Sequence, residues 1–361
     1  MIKLFKITLL YSIVYISCIF PNWFSSDINI SHIPIQESGR VKPLDTYARN
    51  QLLLFYGKQY IDAKHNTENK RIEAIDWLIN LVKNPSEELN REIFYISNWS
   101  NSPEVEISLG LDGRDSHRYS FYEIIEGFRE NQDLLESLRS KPQASYSYVE
   151  QQILDVYSRI VLLDEIAHSF KCINPEIYIE NQDVLDALGL KEPSTVSYSF
   201  FVNNIYLFSP LMAELLEFDP NNWNEKQKDL NRIAIELHTI GQYQYARSLK
   251  LIPSDNENNE WLSPWDIMEL DDPSNNQVEL LVQLEEISNF KFVDDEMIIA
   301  YFSVLENFND GVNYSKIKRE VNNNHIKFFS KSLVLYLLAF IMLGVSWIAK
   351  PIFFRKISLC F

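Results

Sequence analysis

Six histidines, His32, His65, His117, His168, His238 and His325, are the first candidates for chemistry in this 361-residue chain. A helical metal site needs two ligands four residues apart on one face, and no two of these histidines have that spacing. Asp164 and His168 stand one turn apart, as half of a metal site or as a structural Asp–His contact. The run Asp112-Gly113-Arg114-Asp115-Ser116-His117 has the residue types of a hydrolase or a calcium loop. It lacks the nucleophile turn G-x-S-x-G, and the alternating acids of a calcium loop do not continue. A polar turn leading into the next helix accounts for it. Carboxylates are abundant, as in Glu285-Glu286 and Asp294-Asp295-Glu296. Glycosidase chemistry needs two of them across one cleft, which abundance does not supply. Trp261 and Trp265, separated by Leu262-Ser263-Pro264, suit either fixing a loop against a core or contacting a haem face. Cys18, Cys172 and Cys360 form no C-x-x-C and no C-x-x-C-H, which argues against thiol redox chemistry, a cysteine zinc site and covalent haem.

One segment stands out, Ile33 to Asn50 (IPIQESGRVKPLDTYARN). Gly39 permits a tight turn, and Pro43 suits the first turn of a helix whose apolar face holds Leu44, Ala48, Leu52 and Phe55. Arg40, Lys42 and Arg49 place three cations in an otherwise acidic region. They serve either internal neutralisation or docking of a carboxylate-bearing partner or cofactor.

The elements that must position these residues are mainly α-helical, with few short strands. Nine glycines in 361 residues are too few for a turn-rich β fold or a glycine-rich nucleotide loop. Val149, Ile153, Val156, Ile160, Leu163, Ala167 and Phe170 recur every three or four residues, a seam along a helix spanning 144–170. Leu154, Tyr157 and Val161 widen that seam toward burial on two sides. A second helix, 119–139, opens on the capping box Ser120-x-x-Glu123. Further helices are expected over 43–56, 69–82, 225–249, 276–287 and 294–323, the last entered through Asp294 and Asp295. Strands are expected at 93–96, 105–109 and 196–207. The polar stretch 252–260 reads as a linker, with a subdomain seam near 252–272.

Two apolar runs frame this region. Residues 1–26 carry Lys3 and Lys6 and then a run from Ile7 to Phe20, a signal peptide or a signal anchor. Residues 332–350 contain the run Leu333 to Ala349, close to the length of a transmembrane helix. A basic tail, 351–361, follows it. The segments 1–26 and 332–361 hold five of the 33 cations and none of the 50 acids. The positive-inside rule then puts both ends in the cytoplasm and the acidic region 27–331 on the extracytoplasmic, or periplasmic, side of a bacterial inner membrane. A net charge of −17 argues against nucleic acid as a partner.

Ile33-Pro34-Ile35-Gln36 followed by Gly39-Arg40-Val41-Lys42-Pro43-Leu44-Asp45-Thr46 resembles a motif, [IL]-P-[IV]-Q-x-x-G-R-[IV]-K-P-[LF]-[DN]-T, of System II cytochrome c biogenesis proteins, the CcsA/ResC and ResB-like family. The stretch from Tyr314 to Phe340 is similar to the approach to that family's membrane part. The family carries haem outward and presents it to apocytochrome c, using a Trp-rich motif, W-G-x-W-W-x-W-D, and histidine ligands. This chain has no such motif, so no haem ligand is carried over. The resemblance implies a membrane-anchored assembly component without a catalytic residue or a cofactor of its own. Haem would be handled through a separate CcsA/ResB-like membrane partner, and apocytochrome c would be a further partner. Arg40, Lys42, Pro43 and Asp45 are the partner-contact candidates. The rival reading is a membrane-tethered periplasmic hydrolase using its carboxylates or the 112–117 turn.

Overall fold

A computed structural model describes residues 29–65, 69–96, 102–215, 217–254, 260–289, 295–308 and 312–326, with six further positions between 332 and 340. Asn29–Val312 forms one compact unit, and the chain from Asn313 onward belongs to a second. The N-terminal segment 1–26, most of 332–350 and the tail 351–361 lie outside the described residues. Among the described residues no helix is long and apolar enough to cross a membrane.

The body opens on an antiparallel hairpin, β1 (Pro34–Glu37) and β2 (Arg40–Pro43), with Glu37 opposite Arg40. Ser38 and Gly39 have φ of 52° and 75°, the left-handed pair that matches a two-residue turn to the twist of its strands. Pro43 ends β2 in extended conformation and caps α1 (Leu44–Tyr56), so it stands just before the first turn and not within it. Leu44, Ala48, Leu52 and Phe55 are all buried, on the face their spacing predicts.

A short hairpin, β3 (Tyr60–Ile61) with β4 (Ile72–Glu73), delays the next helix, α2 (Ala74–Lys83), to five residues beyond the expected start at Asn69. After α3 (Pro85–Leu89), β5 (Phe94–Tyr95) pairs with β6 (Arg118–Tyr119), and α4 (Ser102–Ser108) lies between them. A strand expected at 105–109 is therefore a helix. Val105, Ile107 and Leu109 alternate as a strand would, but Ile107 is 75% exposed while Val105 and Leu109 are fully buried. Four residues apart, those two share one helix face.

The helix expected over 119–139 is two, α5 (Phe121–Glu130) and α6 (Gln132–Ser140). Asn131 breaks it: its side-chain Nδ2 donates to the Gly127 carbonyl at 2.8 Å, competing with helical continuation. The capping box forms as expected, with Ser120 N donating to Glu123 Oε2 at 2.8 Å and Glu123 N to Ser120 Oγ at 3.3 Å. The seam lies on α7 (Tyr148–His168), where Ile153, Val156, Ile160, Leu163 and Ala167 are buried. Of the residues that widen the seam, Leu154 and Tyr157 are half-buried, Tyr157 packing edge-on against Phe128 of α5, whereas Val161 is 38% exposed.

Beyond α7 a hairpin-like pair, β7 (Ile177–Ile179) and β8 (Ser194–Val196), encloses α8 (Gln182–Ala187). Val196 ends β8, and Ser197 caps α9 (Tyr198–Asn203), followed by α10 (Ile205–Leu215). The strand expected from 196 thus survives only at its first residue. Next come α11 (Glu225–Gly241), α12 (Pro264–Glu269), α13 (Asn275–Asn289), α14 (Asp295–Leu305) and α15 (Tyr314–Ile326). The last two replace one expected helix, because the Asn313 side chain accepts from Lys316 N and starts α15 afresh. Nor is 252–272 a seam. Ile252 and Leu262 exchange backbone hydrogen bonds, and Trp261 and Trp265 are among the largest fully buried side chains.

Candidate functional site

The segment 33–50 folds into a polar clamp at the start of the body. Gln36 N donates to the Lys250 carbonyl at 3.0 Å, and Gln36 Oε1 accepts from Trp261 N at 2.9 Å. Leu44 N donates to the Ile33 carbonyl at 2.7 Å, tying the start of α1 back to the entry of β1. Glu37 accepts from Gln51 Nε2 at 2.7 Å and from the Lys42 ammonium, which also sits 5.7 Å from the Tyr47 ring centroid. Arg49 Nε donates to Asp45 Oδ2 at 2.9 Å, with Asp45 fully buried and Arg49 only 5% exposed. Burial foremost, then the Glu37 and Glu165 carboxylates, push the Tyr47 hydroxyl well above its ordinary pKa.

The four contact candidates therefore do not share one surface. Lys42, Pro43 and Asp45 are buried, and Arg40 alone is exposed, beside the turn. Burial and the bonds of Lys42 to Glu37 and Asp45 to Arg49 give those two side chains internal roles. Gln36, Glu37 and Gln51 complete the clamp. Sequence reasoning missed them because each is an ordinary polar residue. The signal was Ile33 and Ile35 two residues apart, followed by a polar run into Gly39, which reads as a short strand entering a turn.

Asp164 and His168 meet as a structural pair, His168 Nδ1 lying 3.2 Å from Asp164 Oδ1. The Asp164 carboxyl also accepts from the Tyr245 hydroxyl, and His168 stacks on Tyr243 with centroids 4.1 Å apart. Burial raises the Asp164 pKa, but the bonds from His168 and Tyr245 outweigh it and leave the carboxyl below its ordinary value. Trp265 Nε1 donates to the His168 carbonyl at 3.2 Å, so this tryptophan is fixed in the core with its polar atom satisfied.

In the 112–117 turn, Arg114 bridges Glu92 and Glu123, and the Tyr119 hydroxyl donates to the Asp112 carbonyl at 2.9 Å. His117 Nδ1 lies 2.7 Å from Glu106 Oε1, a base beside an orienting acid. Among the described residues no serine or threonine hydroxyl is bonded to the ring of His117 or His168. Glu285 accepts from Ser197 at 2.6 Å and Ser199 at 2.8 Å, pinning the start of α9 to α13. Asp294, like Cys18 and Cys360, lies outside the described residues. No group of three or more His, Cys, Asp or Glu side chains suited to a metal ion occurs among the described residues.

A further concavity lies elsewhere. A groove of about 470 Å³ runs between α9–α10 and α11, lined by Tyr198, Phe201, Ile205 and Phe208 on one side and by Leu237 and His238 on the other. A comparison of the chain with protein families, curated proteins and solved structures finds no match.

Proposed function

We propose that this chain is a membrane-anchored component of cytochrome c biogenesis that assists haem delivery or apocytochrome c handling outside the cytoplasm, through a separate CcsA-like membrane partner. The observation that carries the reading is the clamp. The residues that resemble the System II motif form one closed structural unit, in which Gln36 reaches Trp261 and Lys42 reaches Glu37. The motif-like residues are spent on closing the fold, the role that a body plan shared with that family would give them. The arrangement of the described groups suits an assembly role. Glu106 is engaged by His117, Asp164 by His168, Glu285 by Ser197 and Asp45 by Arg49.

The test is deletion of the chain from its host followed by staining for covalent haem. Loss of c-type cytochromes is the expected result, and unchanged staining refutes the proposal in favour of the tethered hydrolase. Arg40→Glu then probes the exposed end of the clamp. Reduced cytochrome yield at an unchanged level of the protein is expected if this end meets the partner.

A further inference from the structure

From Pro193 to Ala213 the chain carries no charged residue, where a typical composition of about 25% charge would place roughly five. That stretch builds β8 in part, then α9 and α10. On α10 Phe208, Leu211 and Leu215 are buried, as a body helix requires. The opposite face is normally charged. Here it holds Ile205, 56% exposed, and Tyr206, 68% exposed, followed by exposed Ser209, Pro210 and Ala213, and the first carboxylate, Glu214, comes only at the far end, where it pairs with Lys226. The groove described above continues this face through Ile205.

We propose that the exposed face of the first turns of α10 is an interfacial contact that inserts Ile205 and Tyr206 into the lipid surface of the membrane to which the chain is anchored. This rests on the reading of Ile7–Phe20 and Leu333–Ala349 as membrane segments. Three considerations select lipid over protein. The exposed face of an 11-residue helix is about 16 Å long and 10 Å wide, so it offers roughly 160 Å², against the ~800 Å² per partner of a stable dimer. A body already tethered needs no free-standing affinity, so a few side chains suffice. Tyrosine favours the headgroup level, where its ring is apolar and its hydroxyl stays wet, and Glu214, at the far end of the helix, is already paired with Lys226.

The experiment uses the full chain in phosphatidylcholine nanodiscs, with Cys18→Ser and Cys360→Ser and a nitroxide on Tyr206→Cys. Cys172 is buried and stays unlabelled. Tyr122→Cys, on an exposed position of α5, is the aqueous control. The ratio of collisions with oxygen to collisions with a nickel chelate is expected to be higher at 206 than at 122. Equal ratios, with the chain eluting with the discs, overturn the insertion and leave the anchoring intact. Low accessibility to both reagents also overturns it, in favour of a second copy if spin–spin broadening accompanies it and of another protein surface if not. A chain that does not elute with the discs refutes the anchoring reading and the insertion with it.

Discussion

Removing Arg49 from the clamp should destabilise the body far more than removing an ordinary surface cation. Asp45 is fully buried and Arg49 nearly so, with 2.9 Å between Nε and Oδ2. Arg49→Met keeps the stem of the side chain but leaves the Asp45 carboxylate in the interior without that guanidinium. Breaking a buried pair in this way costs about 3–5 kcal/mol, because one desolvated charge survives its counter-charge. Against a total stability of about 5–15 kcal/mol that is a large fraction. With an m-value of about 2–3 kcal/mol/M, the urea midpoint falls by roughly 1–2 M. The double variant Asp45→Leu/Arg49→Met removes both charges and should recover most of the loss, since replacing a buried pair by apolar groups of similar volume is often near neutral. Tryptophan fluorescence of the detergent-solubilised full chain follows the unfolding, with Trp77, Trp261 and Trp265 buried as reporters. A single-variant loss below about 1 kcal/mol, the scale of a solvated pair, would refute the internal role of Arg49. So would a double variant no more stable than the single one.

Three further outcomes are expected. Gly127→Ala should destabilise by about 1–3 kcal/mol although alanine gains about 1 kcal/mol in helix propensity, because its Cβ would stand 2.4 Å from the Leu109 carbonyl oxygen; a raised melting temperature would contradict this. Tyr245→Phe should cost roughly 1 kcal/mol at neutral pH, since the tyrosine is half-exposed and the Asp164 bond is discounted accordingly. Asp164 has a lowered folded pKa, so the stability it contributes is present above its unfolded pKa of about 4 and is lost as pH falls through the folded value. The difference between Tyr245→Phe and the parent should therefore vanish in acid, and a pH-independent difference in urea titrations would exclude the linkage. Cys172 is fully buried, and burial pushes its thiol well above its ordinary pKa. Alkylation by iodoacetamide should reach it only on unfolding, as mass spectrometry with and without denaturant will tell.

Much of the helical framework could be read from periodicity and caps, because each signal is local. Ser120 and Glu123 close their box over three residues, and the α7 seam needs only its own turns. Failures came where distant partners decide. Ile72–Glu73 became a strand because Tyr60–Ile61 pairs with it, and Val105–Leu109 became a helix although its alternation fits a strand. The clamp shows the same division. Gly39 and the apolar face of α1 followed from residue type, whereas Gln36 acquires its role from Trp261 and Lys250, far along the chain. The burial of Lys42 was hidden for a similar reason, since its partner Glu37 lies across a hairpin that the pattern of cations did not suggest. The uncharged stretch 193–213 was visible in the sequence as an absence, a kind of signal that motif searches pass over.

The bond from Trp261 to Gln36 spans 225 residues of chain. At about 5–20 residues per second of synthesis, the hairpin leaves the ribosome roughly 10–45 s before the tryptophan that completes it. During that interval the outer edge of β1 has nothing to pair with, which is the condition that invites edge-to-edge association with other nascent chains. A body closed by its first and last thirds is also slow to form, because the loop must be gathered before its contacts are rewarded. A chain stalled short of Trp261 would therefore keep that edge unpaired, a liability set by the order of synthesis and not by the finished fold.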